Sequence, residues 1–193
     1  MHKNVILAGV GGQGVLTLAG IIDHAAMQSG LLIKQAEVHR MSQRGGAVQS
    51  HLRISDKEIF SDLIPKGKAD MIISLEVMEA LRYIPYLANN GIIITATETV
   101  KNIPNYPDEA GIINQIKDSG FKHIFVAARK TAIEAGSAKT ENVVMVGLAS
   151  KFLGIDKQQF RNSLKELFAS KGDDIVNMNL KAFDLGEELA KNL

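Results

Sequence analysis

Apolar residues in the first two-thirds of the chain come in short unbroken runs, and between the runs they return every three or four positions. Unbroken runs mark strands buried on both faces, and the longer spacing marks helices that cover them. Val5 to Ala8 predicts the first strand, and Gly9 to Gly14 a glycine loop after it. Val15 to Ser29 predicts a helix, with Leu18, Ile22, Ala25 and Ala26 at successive spacings of 4, 3 and 1. Gly30 stops that helix, and Leu31 to Ala36 predicts the second strand. In Val48 to Ile54, Val48, Ser50, Leu52 and Ile54 share one face of a half-exposed strand. "ISDKEIF" then predicts a turn at Asp56-Lys57 into a short partner strand, a hairpin. "ADMIISLE" and "GIIITAT" are two more buried strands on either side of a helix through Val77 to Leu87, and "HIFVAA" is another.

Alternation of this kind predicts an α/β fold: three layers, a mainly parallel Rossmann-like sheet, a β-hairpin insertion and C-terminal helices. The helical part runs from about 141 to 193. Within it, Asp156 and Gln159 suit a capping box leading into Phe160, Leu164, Leu167 and Phe168 on one face. Ile175, Met178, Ala182, Leu185 and Leu189 form a second stripe. No linker interrupts the pattern, so 1–193 reads as one domain.

Composition narrows the function. With 193 residues, 46% hydrophobic, 22% charged and a net charge of +1, the chain has no bulk attraction for nucleic acid or an anionic membrane. Recognition by charge must be local. There is no cysteine, which excludes a disulfide framework, a thiolate nucleophile and a cysteine-held iron–sulfur cluster within this chain. No apolar stretch reaches the roughly 20 residues that span a bilayer. Met1 to Asn4 lead into a strand without a signal-peptide pattern, so the expected location is cytoplasmic.

Two stretches carry candidate chemistry. "GVGGQG" matches G-x-G-x-x-G between a strand and a helix, with Gly9, Gly11, Gly12 and Gly14 allowing a ligand close to backbone N–H groups. A dinucleotide site would add an acidic residue at the end of the second strand, and Glu37 stands 23 residues after Gly14. Against that reading, Glu37 opens a long cationic loop, and Gln13 is bulky where a pyrophosphate would pass. The alternative, glycines that serve strand–helix packing alone, stays open.

The other stretch is "AEVHRMSQRGGAVQSHLRIS", with two histidines, three arginines, two glutamines and a Gly-Gly pair. If the first two strands are neighbours, chain order places Gln13 near His39, Arg40, Gln43 and Arg44. Arg44 can fork onto a carboxylate or phosphate, and Gly45-Gly46 can bring N–H groups to the same anion. Ser42 completes this lip. The competing reading is a solvated loop whose arginine stems cover apolar surface. His39 and Ser42 lack an acid partner for a triad, and His24, His39, His51 and His123 lack paired metal-ligand spacing. Met27, Met41, Met71, Met78 and Met145 suit core filling, and Asn177 and Asn179 suit helix capping or an interface.

Together, "GVGGQGV" and "EVHRMSQRGGAVQSHLRIS" resemble the gamma domain of the 2-oxoacid:ferredoxin oxidoreductases, most closely the small-subunit type that serves indolepyruvate. "ISDKEIFSDLIPKGKADMIISLE", "ENVVMVGLASKFLGI" and "VNMNLKAFDLGEE" extend the resemblance over essentially the full length. One position departs from it: Arg40 stands where the family pattern reads His-Gly-Met over 39–41.

The resemblance implies a thiamine-diphosphate-dependent complex that oxidatively decarboxylates a 2-oxoacid to an acyl-coenzyme A and passes electrons to ferredoxin. Thiamine diphosphate, magnesium and 4Fe-4S clusters would sit in a large partner subunit, with coenzyme A as co-substrate. No Gly-Asp-Gly…Asn pattern for the thiamine site occurs here. This chain would bind no cofactor alone and supply no catalytic residue. It would complete the cleft through Gly9, Gly11, Gly12, Gln13, Gly14, His39, Arg40, Ser42, Gln43, Arg44, Gly45 and Gly46, in a heterotetramer of two large and two small chains. The alternative is a stand-alone dinucleotide-binding oxidoreductase.

Overall fold

The computed structural model describes residues 1–39, 46–101 and 104–191. In chain order the elements are β1 (His2–Val10), α1 (Val15–Gln28), β2 (Leu32–His39), β3 (Ala47–Ser55), β4 (Ala69–Ser74), α2 (Val77–Tyr83) and β5 (Leu87–Ala96). They continue with α3 (Glu109–Asp118), β6 (Lys122–Val126), α4 (Ala128–Ala135), α5 (Glu141–Leu153), α6 (Lys157–Phe168) and α7 (Asp173–Lys191). The strands form one sheet in the order β2-β3-β1-β4-β5-β6. From β1 to β6 the pairs are parallel, whereas β3 runs antiparallel to both β1 and β2.

Alternation along β1 divides the core. Val5 and Leu7 face a layer built from α1 and α4 to α7, and Ile6 and Ala8 face a smaller layer with α2 and α3. All four are at most 1% exposed, as expected of a strand covered on both sides. The three-layer architecture expected from the sequence is therefore present, with the larger layer formed by α1 together with α4 and the C-terminal helices.

The hairpin is placed differently from the expectation. No strand follows Asp56-Lys57; residues 58–60 are irregular. Both edges of β3 are already filled, by β1 and β2, so no edge remains for a third partner. The hairpin is β2–β3 itself. The segment after β3 instead folds back across the sheet, where Ile59 and Ile64 are buried. His51 Nδ1 accepts from the Ile64 N–H at 3.0 Å, and Arg53 donates to the Ser61 carbonyl at 2.9 Å. β3 is accordingly buried at most positions rather than half-exposed.

Three smaller corrections share a cause, the limits of periodicity. The helix after β4 ends at Tyr83, and a 3-10 turn over Ile84–Tyr86 containing Pro85 leads into β5. Leu167 and Leu189 point outward, at 42% and 37% exposure, because Ser163, Asn179 and Gly186 take buried positions that apolarity did not mark. Met27 is also exposed, while Met71 and Met145 are core.

The packing of α5 on α7 explains why that face is rotated. A Cβ on Gly147 would lie 2.2 Å from the Phe183 carbonyl oxygen, and one on Gly186 would lie 2.1 Å from the Val144 carbonyl oxygen. The two helix backbones touch, and only glycine permits that. α6 is locked to α7 beside this contact by stacked Phe160 and Phe183, centroids 5.7 Å apart. Arg161 also bridges Asp184 at 2.7 Å and Glu187 at 2.6 Å. Asp156 caps α6 by accepting from the Gln158 N–H at 2.7 Å.

Gly186→Ala should therefore destabilise the chain by about 3 kcal/mol in urea unfolding, the upper part of the usual overpacking cost, since both clashing atoms belong to backbone. His51 gives a pH dependence. Burial lowers its pKa from the ordinary 6.5, and Asp62 opposes this only in part. The unfolded chain then binds the extra proton first. Stability should be full above the unfolded value and fall as pH drops from there toward the folded one. Urea midpoints across that range, compared with those of His51→Gln, check it.

Candidate functional site at the carboxyl edge of the sheet

β1, β4, β5 and β6 all end at the same edge, and the glycine loop leaves β1 there. Gly12 and Gly14 have φ of 101° and 83°, left-handed values that favour glycine. A Cβ on Gly9 would meet Val15 Cγ2 at 2.8 Å, so that glycine serves strand–helix packing. A Cβ on Gly12 would meet nothing within 4 Å. The loop is thus tight at its base and open at its tip.

Gln13 holds this shape. Its Oε1 accepts from the Val10 N–H at 2.8 Å, and its Nε2 donates to the Leu75 carbonyl at 2.8 Å. The side chain ties the loop to the turn after β4 and does not project as a free arm. Asn142, at the start of α5, donates to the Gly14 carbonyl at 3.2 Å and fills the space a Cβ on Gly14 would take.

The second stretch meets the first at the end of the β1–β3 ladder, where Gly9 pairs with Val48 and Val10 with Ala47. Gly11 N–H donates to the Gly46 carbonyl at 2.9 Å. β1 and β2 are not neighbours, since β3 lies between them, yet Gly9 and His39 both pair with Val48. The antiparallel return of β3 carries Gly46 back to the glycine loop. His39 closes β2, whereas Arg40, Ser42, Gln43, Arg44 and Gly45 lie outside the described residues.

β2's position bears on the dinucleotide reading. Glu37 pairs with Ser50, which pairs in turn with Leu7, so Glu37 stands two strand spacings, roughly 10 Å, from β1. A ribose-binding acid belongs on the strand beside the glycine loop. That strand here is β3.

Residues that the sequence did not mark line the rest of the edge. Glu76 is fully buried just past β4; its Oε2 accepts from the Glu79 N–H at 2.9 Å, capping α2, and its Oε1 accepts from the Tyr106 hydroxyl. Burial, then the bond to Glu76, pushes the Tyr106 phenol far above its ordinary value. Glu98, past β5, accepts from the Arg129 N–H at 2.8 Å. Burial raises the Glu141 carboxyl, the Glu98 charge adds to this, and Arg129 works against it. The described part of the edge is thus rich in carboxylates, with Arg129 as a nearby cation. Only the break of an apolar run by Glu76 hinted at this; the others depend on helices that meet the edge from distant sequence.

A family model described as pyruvate ferredoxin/flavodoxin oxidoreductase matches residues 4–189. The chain belongs to that family. It is 38% identical, over 98% of its own length and 96% of the relative's, to the indolepyruvate oxidoreductase subunit IorB of Pyrococcus horikoshii. In fold it resembles the gamma subunit of a keto/oxoacid ferredoxin oxidoreductase from Geobacter sulfurreducens, with a TM-score of 0.70, 22% identity and 99% of each chain covered. It also resembles a 2-oxoglutarate:ferredoxin oxidoreductase from Magnetococcus marinus with 2-oxoglutarate, coenzyme A and succinyl-CoA bound, at a TM-score of 0.81 and 21% identity. All of this chain aligns there, but it spans only 31% of that longer chain. Among the described residues no helix is long and apolar enough to cross a membrane.

Gln13→Ala removes two hydrogen bonds that close the loop, so it should cost about 1–3 kcal/mol in urea unfolding. Hydrogen exchange at the Gly11 amide should quicken more than at amides of α7, because the loop alone is released.

Proposed function

We propose that this chain is the small subunit of a thiamine-diphosphate-dependent 2-oxoacid:ferredoxin oxidoreductase that converts indolepyruvate or a related aryl pyruvate to its acyl-coenzyme A. Family membership and near-full-length similarity to an indolepyruvate oxidoreductase subunit support it. The observation that supports the site is the Gly11–Gly46 hydrogen bond, which ties the glycine loop to the residue that follows the cationic stretch in the chain. The whole chain acts as one gamma-type domain in the cytoplasm.

The residues present divide the cofactors. A cysteine-held iron–sulfur cluster does not fit a chain without cysteine, and belongs to a large partner subunit together with thiamine diphosphate, magnesium and the contact with ferredoxin. An anionic portion of coenzyme A or of the 2-oxoacid fits the loops. The open tip at Gly12 admits close approach to backbone N–H groups, and Arg44 with Gly45 and Gly46 supplies charge and further donors. Coenzyme A, when bound, supplies the thiol that accepts the acyl group. Gln13 and Asn142 keep the glycine loop in its binding shape, and Ser42, Gln43, His39 and Arg40 complete the set of ligand-binding residues. These residues bind and orient; proton transfer and electron flow take place in the partner, in a complex of two large and two small chains.

Co-expression with a large chain carrying the thiamine and cluster motifs tests this. Indolepyruvate with coenzyme A should reduce a viologen dye only when both chains are present. Arg44→Ala should lower kcat/KM for coenzyme A or the 2-oxoacid by about ten- to a hundredfold, the loss of one charge-assisted contact. If instead the isolated chain binds NAD(H) tightly and Glu37→Ala abolishes that, the dinucleotide reading replaces this one.

A further inference from the structure

β2 stands at the edge of the sheet, and no described residue adds a strand beyond it. Edge strands are normally kept from pairing with another chain by a proline, a bulge or charged side chains, lysine above all; of these β2 shows a lysine, Lys34, at its exposed centre. β2 has no proline and pairs with β3 in unbroken register. Its central residues Lys34 and Gln35 are both exposed, so both faces of the strand reach solvent there. Leu32 and Val38 are exposed at 50% and 47%, at the two ends of one face. The opposite edge differs: β6 has five residues and none of the large exposed hydrophobics.

The sequence of β2 is self-complementary under a twofold axis. In a symmetric antiparallel pair, opposed residues lie on the same face, so positions of equal parity meet. Centring the axis on Lys34 or Glu37 would oppose like charges. Centring it on Ala36 would set Lys34 against Val38. Centring it on Gln35 opposes Leu32 with Val38 twice, Lys34 with Ala36 and Ile33 with Glu37, and joins Gln35 to its own copy. Only this last register closes both exposed apolar residues and leaves no like charges opposed.

A second feature adds apolar surface to that face. Leu32, Lys34, Ala36 and Val38 share it with His51 and Arg53, across which the 58–64 segment is fastened. From that segment Phe60 and Leu63 project at 85% and 54% exposure. The segment is pinned at the Arg53 row, close to Leu32, which is where the second copy's Val38 would arrive.

We infer that β2 is a homodimer edge: two copies of this chain pair through antiparallel β2 strands centred on Gln35, joining their sheets into one. The occupant is a second copy because the register that satisfies the apolar positions is the symmetric one. The inference does not depend on the proposed activity, and within a complex of two large and two small chains it would be the contact between the small ones.

The absence of cysteine provides a clean probe. Gln35→Cys places two thiols across the axis, with Cα atoms about 4.5–5.5 Å apart, within disulfide range. Mild oxidation should cross-link it nearly completely, while Lys165→Cys on α6 should stay uncross-linked. By sedimentation the unmodified chain should have about twice its 20.9 kDa monomer mass. Val38→Lys should weaken the dimer at least tenfold, and Leu32→Glu with Val38→Lys should restore it by opposing Glu to Lys twice. A monomer at about 100 μM, where a Kd of about 1 μM would give mostly dimer, overturns the inference. So does Gln35→Cys that cross-links no better than the control. A large-chain strand on this edge would leave the isolated chain monomeric, with Val38→Lys releasing the large chain, and this too rejects the second copy.

Discussion

The insertion of β3 between β1 and β2 is the constraint on which the rest of the molecule turns. Nine residues of β3 pair with β1 on one side and eight residues of β2 on the other. Because β3 runs against both, the connection after β2 must return to the edge where β1 ends. That reversal is what brings Gly46 to Gly11. A parallel β2 directly beside β1, as in a dinucleotide-binding sheet, would have put Glu37 in reach of the loop instead. The same two motifs thus acquire a different neighbourhood from one change in strand order.

Filling both edges of β3 has further consequences. It denies a strand partner to the segment after Ser55, which is held across the sheet by His51 and Arg53. That places a neutral imidazole, needed as an acceptor, under a loop that shows Phe60 to solvent. It also pushes β2 to the outside, with Leu32 and Val38 uncovered. The helices solve the remaining burial problem on the other face. There the contact of Gly147 and Gly186 lets α7 approach α5 closely, and the start of α5 delivers Asn142 to the glycine loop.

The carboxyl edge of the sheet is therefore assembled from parts that have different duties. Gln13 and Asn142 spend their hydrogen bonds on the chain itself, fixing the loop, and Gly12 leaves the tip open. Glu76, Tyr106, Glu98 and Glu141 stand farther along the same edge, past β4 and β5.

What the sequence determined by itself was local. Unbroken apolar runs identified β1, β4, β5 and β6, because a strand covered on both faces cannot afford polar residues. The glycine loop, its following helix and the adjoining cationic stretch were equally legible, since backbone conformation and charge are properties of the residues present. Strand order was not, because β3 carries the same alternation whether it lies at an edge or in the middle. The true faces of α6 and α7 were hidden for a related reason: glycine at 186, Ser163 and Asn179 are buried by contact and hydrogen bonding, not by apolarity. Glu76, Tyr106, Glu98 and Glu141 meet only because separate elements end at one edge. Tertiary structure alone decided these matters, because pairing partners and helix contacts are set by what other segments leave unoccupied.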